Sequence, residues 1–308
     1  MSTLTFYQNH KEIIRRVLFI AGLLFVFVLV LESWGEIERL LRSVKPLEFT
    51  LSVVTGLLGT LTISVFFNRL LGKNGVVLSD RLAIKIYLVG QIAKYIPGKI
   101  WGIAYQISHV AGARAATGVV LANMENMFIV IYMTSMTAFV LVSLQLETIF
   151  TLASVIGGLV VFLLLYRTRL VLNIVHLVLK TIGQQDFVPV SSECIKPGPV
   201  EGVLFCVIFC STYALSYILM LDAVFNFPPE QAYVYIVLLS IAWIGGVLTI
   251  IVPAGMGVRE LIFVSFTSQL IPDQSMESIV SIAVVTRAWQ LLQELAIMPV
   301  LFSLRREQ

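Results

Sequence analysis

Charge is scarce in this chain: only 13% of its 308 residues are Asp, Glu, Lys or Arg, against 58% hydrophobic residues. A soluble domain of this length would need polar surface that the chain does not have, so a water-soluble globular class is excluded. Three cysteines (Cys194, Cys206, Cys210) show no CxxC spacing, and three histidines (His10, His109, His176) are scattered. Neither set implies a disulfide framework or a metal site. The sequence also lacks a phosphate-binding glycine loop and a nucleophile elbow, so no cofactor, no catalytic residue and no soluble catalytic domain is expected. A formal charge of +3 does not point to nucleic acid, because the basic residues sit between apolar runs and serve topology.

What the chain does have is a series of membrane-length apolar runs. Lys11, Arg15 and Arg16 precede a first run to Leu31, which ends in Glu32-Ser33-Trp34 without a small-residue cleavage site. It reads as a retained helix starting near Ile13 rather than a signal peptide. Further spans are expected at about Leu47–Leu70, Gly118–Leu144, Ile149–Tyr166, Val200–Leu221 and Ile279–Ser303. The prediction is an all-α polytopic membrane protein forming one integral membrane domain over 1–308. Its approximate halves are 1–166 and 200–308, joined by a cytoplasmic segment 167–199.

Two stretches interrupt this pattern. Gln91-Ile92-Ala93-Lys94-Tyr95-Ile96-Pro97-Gly98-Lys99-Ile100-Trp101-Gly102 places two lysines and a Pro-Gly break in an apolar neighbourhood. Pro253-Ala254-Gly255-Met256-Gly257-Val258-Arg259-Glu260 is a second Pro/Gly break between two later apolar runs. Proline removes a helical donor and glycine permits unusual dihedrals, so each segment should be two helical pieces separated by non-helical backbone. At membrane depth such backbone persists only where protein or a water-filled cavity satisfies it. Ser79-Asp80 is a plausible cap for the piece running from Arg81 to Ile96, which is too short to cross a ~30 Å hydrocarbon core. A re-entrant hairpin with a return arm at Ile100–Val110 accounts for that length. A kinked full span or an interfacial loop are the competing readings. A second re-entrant unit is expected from Gln231 to Leu270, giving six full spans, two oppositely entering broken hairpins and an arrangement open to an inverted repeat.

Charge distribution favours that arrangement. With six spans, 16 of the 21 Lys/Arg fall on the side of the termini and the Pro97 unit, whereas nine of the 18 acids fall on the other. Basic residues mark the cytoplasm, so both termini should be cytoplasmic and the two breaks should enter from opposite faces. Asn74, Thr117 and Gln185 should all report on the cytoplasmic side.

The ionisable residues left inside the bilayer are the candidate binding groups. They are Lys94 and Lys99 near the first break, Glu125 in the third span, Arg259 and Glu260 after the second break, and Arg287 and Glu294 in the last span. Charges at this depth are costly and usually face an interior cavity. Lys99 beside a helix break can meet a phosphate, or can snorkel to cytoplasmic headgroups. Arg287, Gln290 and Glu294 share one helix face, and the expected pairs are Arg259 with Glu294 and Arg287 with Glu125 around one cavity. A purely structural pairing of Arg259, and a bracing role for Asn123, Glu125 and Asn126, are the alternatives.

The stretch Lys94–Trp101, Glu125 in the next helix, and Pro253–Glu260, in this order, resemble the transmembrane region of lysylphosphatidylglycerol synthases and their stand-alone, flippase-like relatives. The resemblance covers most of the chain, and its two Pro/Gly motifs, Pro97-Gly98 and Pro253 with Gly255 and Gly257, carry it. It implies a bacterial or archaeal inner-membrane protein handling an anionic lipid, either aminoacylated phosphatidylglycerol or a polyprenyl-phosphate-linked glycan. The synthases carry a large soluble aminoacyl-transfer domain, whereas this chain stops at Gln308, so aminoacyl transfer is not expected. Lipid translocation is the leading reading. The others are a non-catalytic membrane partner of an envelope-polymer or glycolipid synthesis enzyme, and an integral-membrane transferase.

Overall fold

The computed structural model describes residues 38, 42–93, 101–144, 148–167, 198–249, 255, 257–297 and 299. The expected first span, Lys94, Pro97, Gly98, Lys99, Pro253, most of the 167–199 segment and the reporter Gln185 lie outside the described residues. Among the described residues there are nine helices and no strand: α1 Pro46–Lys73, α2 Asp80–Ala93, α3 Trp101–Ile107, α4 Ala113–Ser143, α5 Thr148–Arg167, α6 Pro199–Phe225, α7 Pro229–Leu248, α8 Val258–Leu270 and α9 Met276–Ala296. Five of these, α1, α4, α5, α6 and α7, are long and apolar enough to cross a membrane. The chain is therefore a helical, multi-span membrane protein.

The centre of the bundle is the antiparallel pair α1 and α6, which contact each other more extensively than any other two helices. Gly59 allows the close approach, since a Cβ there would come within 3.0 Å of the Thr212 hydroxyl. Ion pairs tie the two ends. Lys45 Nζ lies 2.7 Å from Asp222 Oδ1 at one end, and Arg69 Nε lies 2.6 Å from Glu201 Oε1 at the other. The intervening rise of α1 is about 36 Å at 1.5 Å per residue. That exceeds a hydrocarbon core of ~30 Å, so the two half-exposed pairs are far enough apart to stand on opposite sides of one.

Both interrupted segments fold back on themselves. The arms α2 and α3 meet where a Cβ on Gly102 would come within 2.8 Å of the Gly90 carbonyl oxygen. The arms α7 and α8 meet where a Cβ on Gly255 would come within 2.8 Å of the Gly246 Cα. Gly255 (φ +66°) and Gly257 (φ +79°) occupy the left-handed region that the second break requires, which is why glycines stand there. Ser79 caps α2 through a 3.4 Å bond from the Leu82 amide, and α2 begins at Asp80, beside Asn68 of α1. The second pair begins at the other end of the bundle. There Asn226, left-handed at φ 55°, turns α6 into α7 within three residues of Asp222's helical end.

The first arms of the two segments differ in length. The 14 residues of α2 reach about 21 Å, but the 20 residues of α7 reach about 30 Å and make it one of the five membrane-length helices. Conversely α9, expected as a full span, has 21 residues but carries Arg287, Gln290, Gln293 and Glu294, and is not among the five. Its first half packs Val280, Val284 and Val285 against Ala223 and Val224 at the Asp222 end of α6. Farther along, Trp289 Nε1 donates to Ser52 Oγ of α1 at 2.9 Å.

Candidate functional site

A cavity of about 190 Å³ lies at mid-height of the α1/α6 pair, and seven of the nine described helices contribute to its wall. Gly56, Gly59 and Thr60 come from the middle of α1, and Phe209, Tyr213, Ser216 and Tyr217 from the middle of α6. Both interrupted segments reach it. Gln91 stands just before the first break, and Trp243 and Arg259 flank the second. The α9 face adds Trp289, Gln290, Gln293 and Glu294, the face that the spacing of Arg287, Gln290 and Glu294 predicts.

One side of this wall is rigid. Rings of Phe209, Tyr213, Tyr217 and Trp289 follow one another at centroid distances of 5.8, 4.9 and 4.9 Å. Their polar tips are held, with Tyr213 Oη 3.0 Å from Ser240 Oγ and Tyr217 Oη accepting from Gln290 Nε2 at 2.8 Å. The other side carries charge. Arg259 is the second residue of α8, whose N-cap residue, Gly257, supplies no side-chain cap. A guanidinium and the positive end of a helix thus occupy one corner, an arrangement that attracts an anion. The position of Arg259 depends on Gly246, because a Cβ there would come within 2.6 Å of the arginine Nε.

Next to this cavity is a chamber of about 30 Å³, which shares Trp243, Arg259 and Gln290 with it and adds Glu260, Thr286 and Arg287. Arg287 Nε stands 3.9 Å from Glu260 Oε1, an ion pair too long for a hydrogen bond. Arg287 Nη1 reaches Gln290 Oε1 at 3.4 Å.

Glu125 belongs to neither wall. Fully buried on α4, its Oε1 accepts from Lys73 Nζ at 2.9 Å and its Oε2 from Asn74 Nδ2 at 2.8 Å. The expected Arg287–Glu125 pair is therefore corrected. Arg287 faces Glu260, because α9 packs on α1 and α8, whereas Glu125 sits level with the end of α1. Its neighbours brace the first interrupted segment: Asn123 Nδ2 donates to Gln106 Oε1 at 2.6 Å, and Asn126 reaches Tyr87 Oη at 3.5 Å. Arg259 and Glu294, expected as a pair, both line the large cavity.

Sequence reasoning missed Lys73 and Asn74 as partners of Glu125, and also the α6 wall. Tyr213 and Tyr217, four apart on a helix, were its visible signal. Among the described residues no group of three or more His, Cys, Asp or Glu is placed to hold a metal. Comparison of the chain with family models, with curated proteins and with solved structures finds no match in any of the three.

Proposed function

We propose that the protein carries an anionic lipid headgroup from one leaflet to the other through the cavity between its two interrupted segments. The observation that carries this reading is Arg259, in the first turn of α8, in a cavity at mid-height of the bundle that helices flanking both breaks line. An ionisable group at that depth is costly unless a ligand or a partner makes use of it. Broken helices whose ends meet at a central site are the device by which alternating-access carriers build one. The resemblance of the Pro97 and Pro253 motifs to the lysylphosphatidylglycerol synthase membrane region makes a lipid the natural cargo, an aminoacylated phospholipid or a polyprenyl-phosphate-linked glycan. The volume of about 190 Å³ corresponds to roughly six waters at ~30 Å³ each. It is below the ~300–1,000 Å³ of ordinary ligand pockets. Such a space takes a phosphate and its first substituents, and a glycan would require the hairpins to part.

On this reading the Arg69 end faces the cytoplasm of a bacterial or archaeal inner membrane. Asn74 is a poor reporter of sidedness, since it is buried against Glu125. Exposed Gly75 and Arg114 serve better, with Asp273 for the opposite face. Cysteines at the first two should label from one side and a cysteine at Asp273 from the other.

The carrier reading is tested with purified protein in vesicles containing a headgroup-tagged anionic phospholipid, scored by the tag's accessibility to an impermeant quencher. Arg259→Gln should slow lipid movement about ten- to hundredfold, the worth of one charge-assisted contact. Arg259→Lys should retain part of it. Lys99→Gln should reduce it more than Lys99→Arg. Equal rates in all variants and in protein-free vesicles would overturn the reading. A membrane partner of an envelope-polymer or glycolipid synthesis enzyme would then stand first, favoured by the pairing of Glu125 with Lys73 and Asn74 inside the chain.

A further inference from the structure

The small chamber holds two buried oxygens that have no hydrogen-bond partner. Glu260 is 3% exposed and Thr286 3% exposed, and both Glu260 Oε2 and Thr286 Oγ1 lack a bond. Both residues line the same space of about 30 Å³. A buried carboxylate oxygen without a donor is costly, so the chamber is built for something that supplies a hydrogen. Its size admits one water, on the order of 30 Å³. The charged and titratable groups facing Glu260 are Arg259 on its own helix and Arg287 from α9. From α7 it meets only Trp243 and apolar residues, and Gln290 connects the chamber to Tyr217 of α6.

We propose that Glu260 is a proton-binding site that couples lipid movement to a proton gradient, a proposal that rests on the carrier reading above. A proton from water on one side reaches the Glu260 carboxylate through the large cavity, which the chamber joins at Trp243, Arg259 and Gln290. The carboxylate becomes a carboxylic acid, and the proton later leaves to water on the other side. Charged, Glu260 attracts Arg287 across 3.9 Å and holds α8 toward α9. Neutral, it releases Arg287 to Gln290, which already accepts from it and forms part of the large cavity's wall. Protonation at one helix pair thereby alters the wall that faces the cargo.

Two measurements on full-length protein separate this proposal from the reading beneath it. In vesicles of phosphatidylcholine with a tagged anionic phospholipid, a one-unit pH gradient should bias the lipid between leaflets by up to about tenfold, the limit for one proton per lipid. Glu260→Gln should abolish the bias. A bias that survives in Glu260→Gln, or lipid movement in the parent that ignores the gradient, overturns the proposal and leaves the carrier reading intact. In detergent, infrared difference spectra between acid and neutral pH should show a protonated-carboxyl band that Glu260→Gln removes and that Thr286→Val shifts. If lipid does not move at all, the carrier reading fails on its own, and the same band decides the site. Its presence supports proton binding at Glu260, and an unchanged spectrum in both variants means a structural water only and overturns it.

Discussion

Two clusters of buried charge differ in completeness. At the Lys73–Asn74–Glu125 cluster each carboxylate oxygen has one donor, at 2.9 and 2.8 Å, and the acid is fully buried away from either cavity. Around Arg259, Glu260, Arg287 and Glu294 the Glu260–Arg287 separation is 3.9 Å, Glu260 Oε2 is without a hydrogen bond, and every member lines a cavity. The first cluster satisfies both oxygens of its carboxylate within the chain, leaving Asn74 Oδ1 without a bond, and holds helices in register. A carboxylate at a cavity wall with one oxygen unbonded leaves a position that a water or a ligand can fill.

The largest expected effect is on the first cluster. Glu125→Ala strands the Lys73 ammonium in a buried site, and removal of one partner from such a pair costs about 3–5 kcal/mol. Folded yield in detergent, read by size exclusion, should collapse for Glu125→Ala or Lys73→Met and recover largely in Lys73→Met/Glu125→Gln. Single variants that fold like the parent would show that water already reaches this cluster, and the contrast with the other would vanish.

Gly246→Ala comes next and acts on the second cluster. Its methyl displaces the Arg259 side chain, an overpacking of about 1–3 kcal/mol. Lipid movement should fall as far as in Arg259→Gln while folded yield drops only modestly. A fully active Gly246→Ala would mean that the arginine's place in the cavity is immaterial. Within the same cluster, Arg259→Gln and Glu294→Gln should be non-additive for lipid movement, with coupling of about 0.5–3 kcal/mol. Additive losses would show that the two act apart although they share a wall.

The local features were legible and the pairings were not. Ser79-Asp80 announced the start of α2, Gly255 and Gly257 announced a backbone only glycine adopts, and the spacing of Arg287, Gln290 and Glu294 announced a polar helix face. Each signal is carried by residues within about two turns of one another. The partner of Glu125 was hidden for the opposite reason. Lys73 reads as one of several loop lysines, and only the folding of α4 against the end of α1 buries it. Arg287 was assigned to the wrong acid because helix adjacency leaves no periodic trace. The expected start of the second unit at Gln231 lies two residues from the observed start of α7 at Pro229.

The smallest expected effect concerns the ion pairs at the two ends of α1 and α6. Lys45 and Asp222 are each 38% exposed, and Arg69 and Glu201 are 41% and 37% exposed. Exposed pairs contribute ~0–1 kcal/mol, since solvent screens them and two side chains must be held still. Their role is register, because α1 and α6 are bound between the ends by apolar contacts that one-turn sliding would still permit. The double variant Lys45→Ala/Asp222→Ala should therefore leave the thermal unfolding midpoint nearly unchanged, and a double-mutant cycle should give coupling under about 1 kcal/mol. The exchanged pair Lys45→Asp/Asp222→Lys should behave like the parent in detergent. In vesicles the same exchange tests headgroup depth, since a pair lying among headgroups responds to added salt and to anionic lipid, and one buried in protein does not. A coupling of several kcal/mol, insensitive to salt, would place this end in a buried interface. Completeness would then no longer separate the Lys73–Asn74–Glu125 cluster from the rest of the bundle's charge.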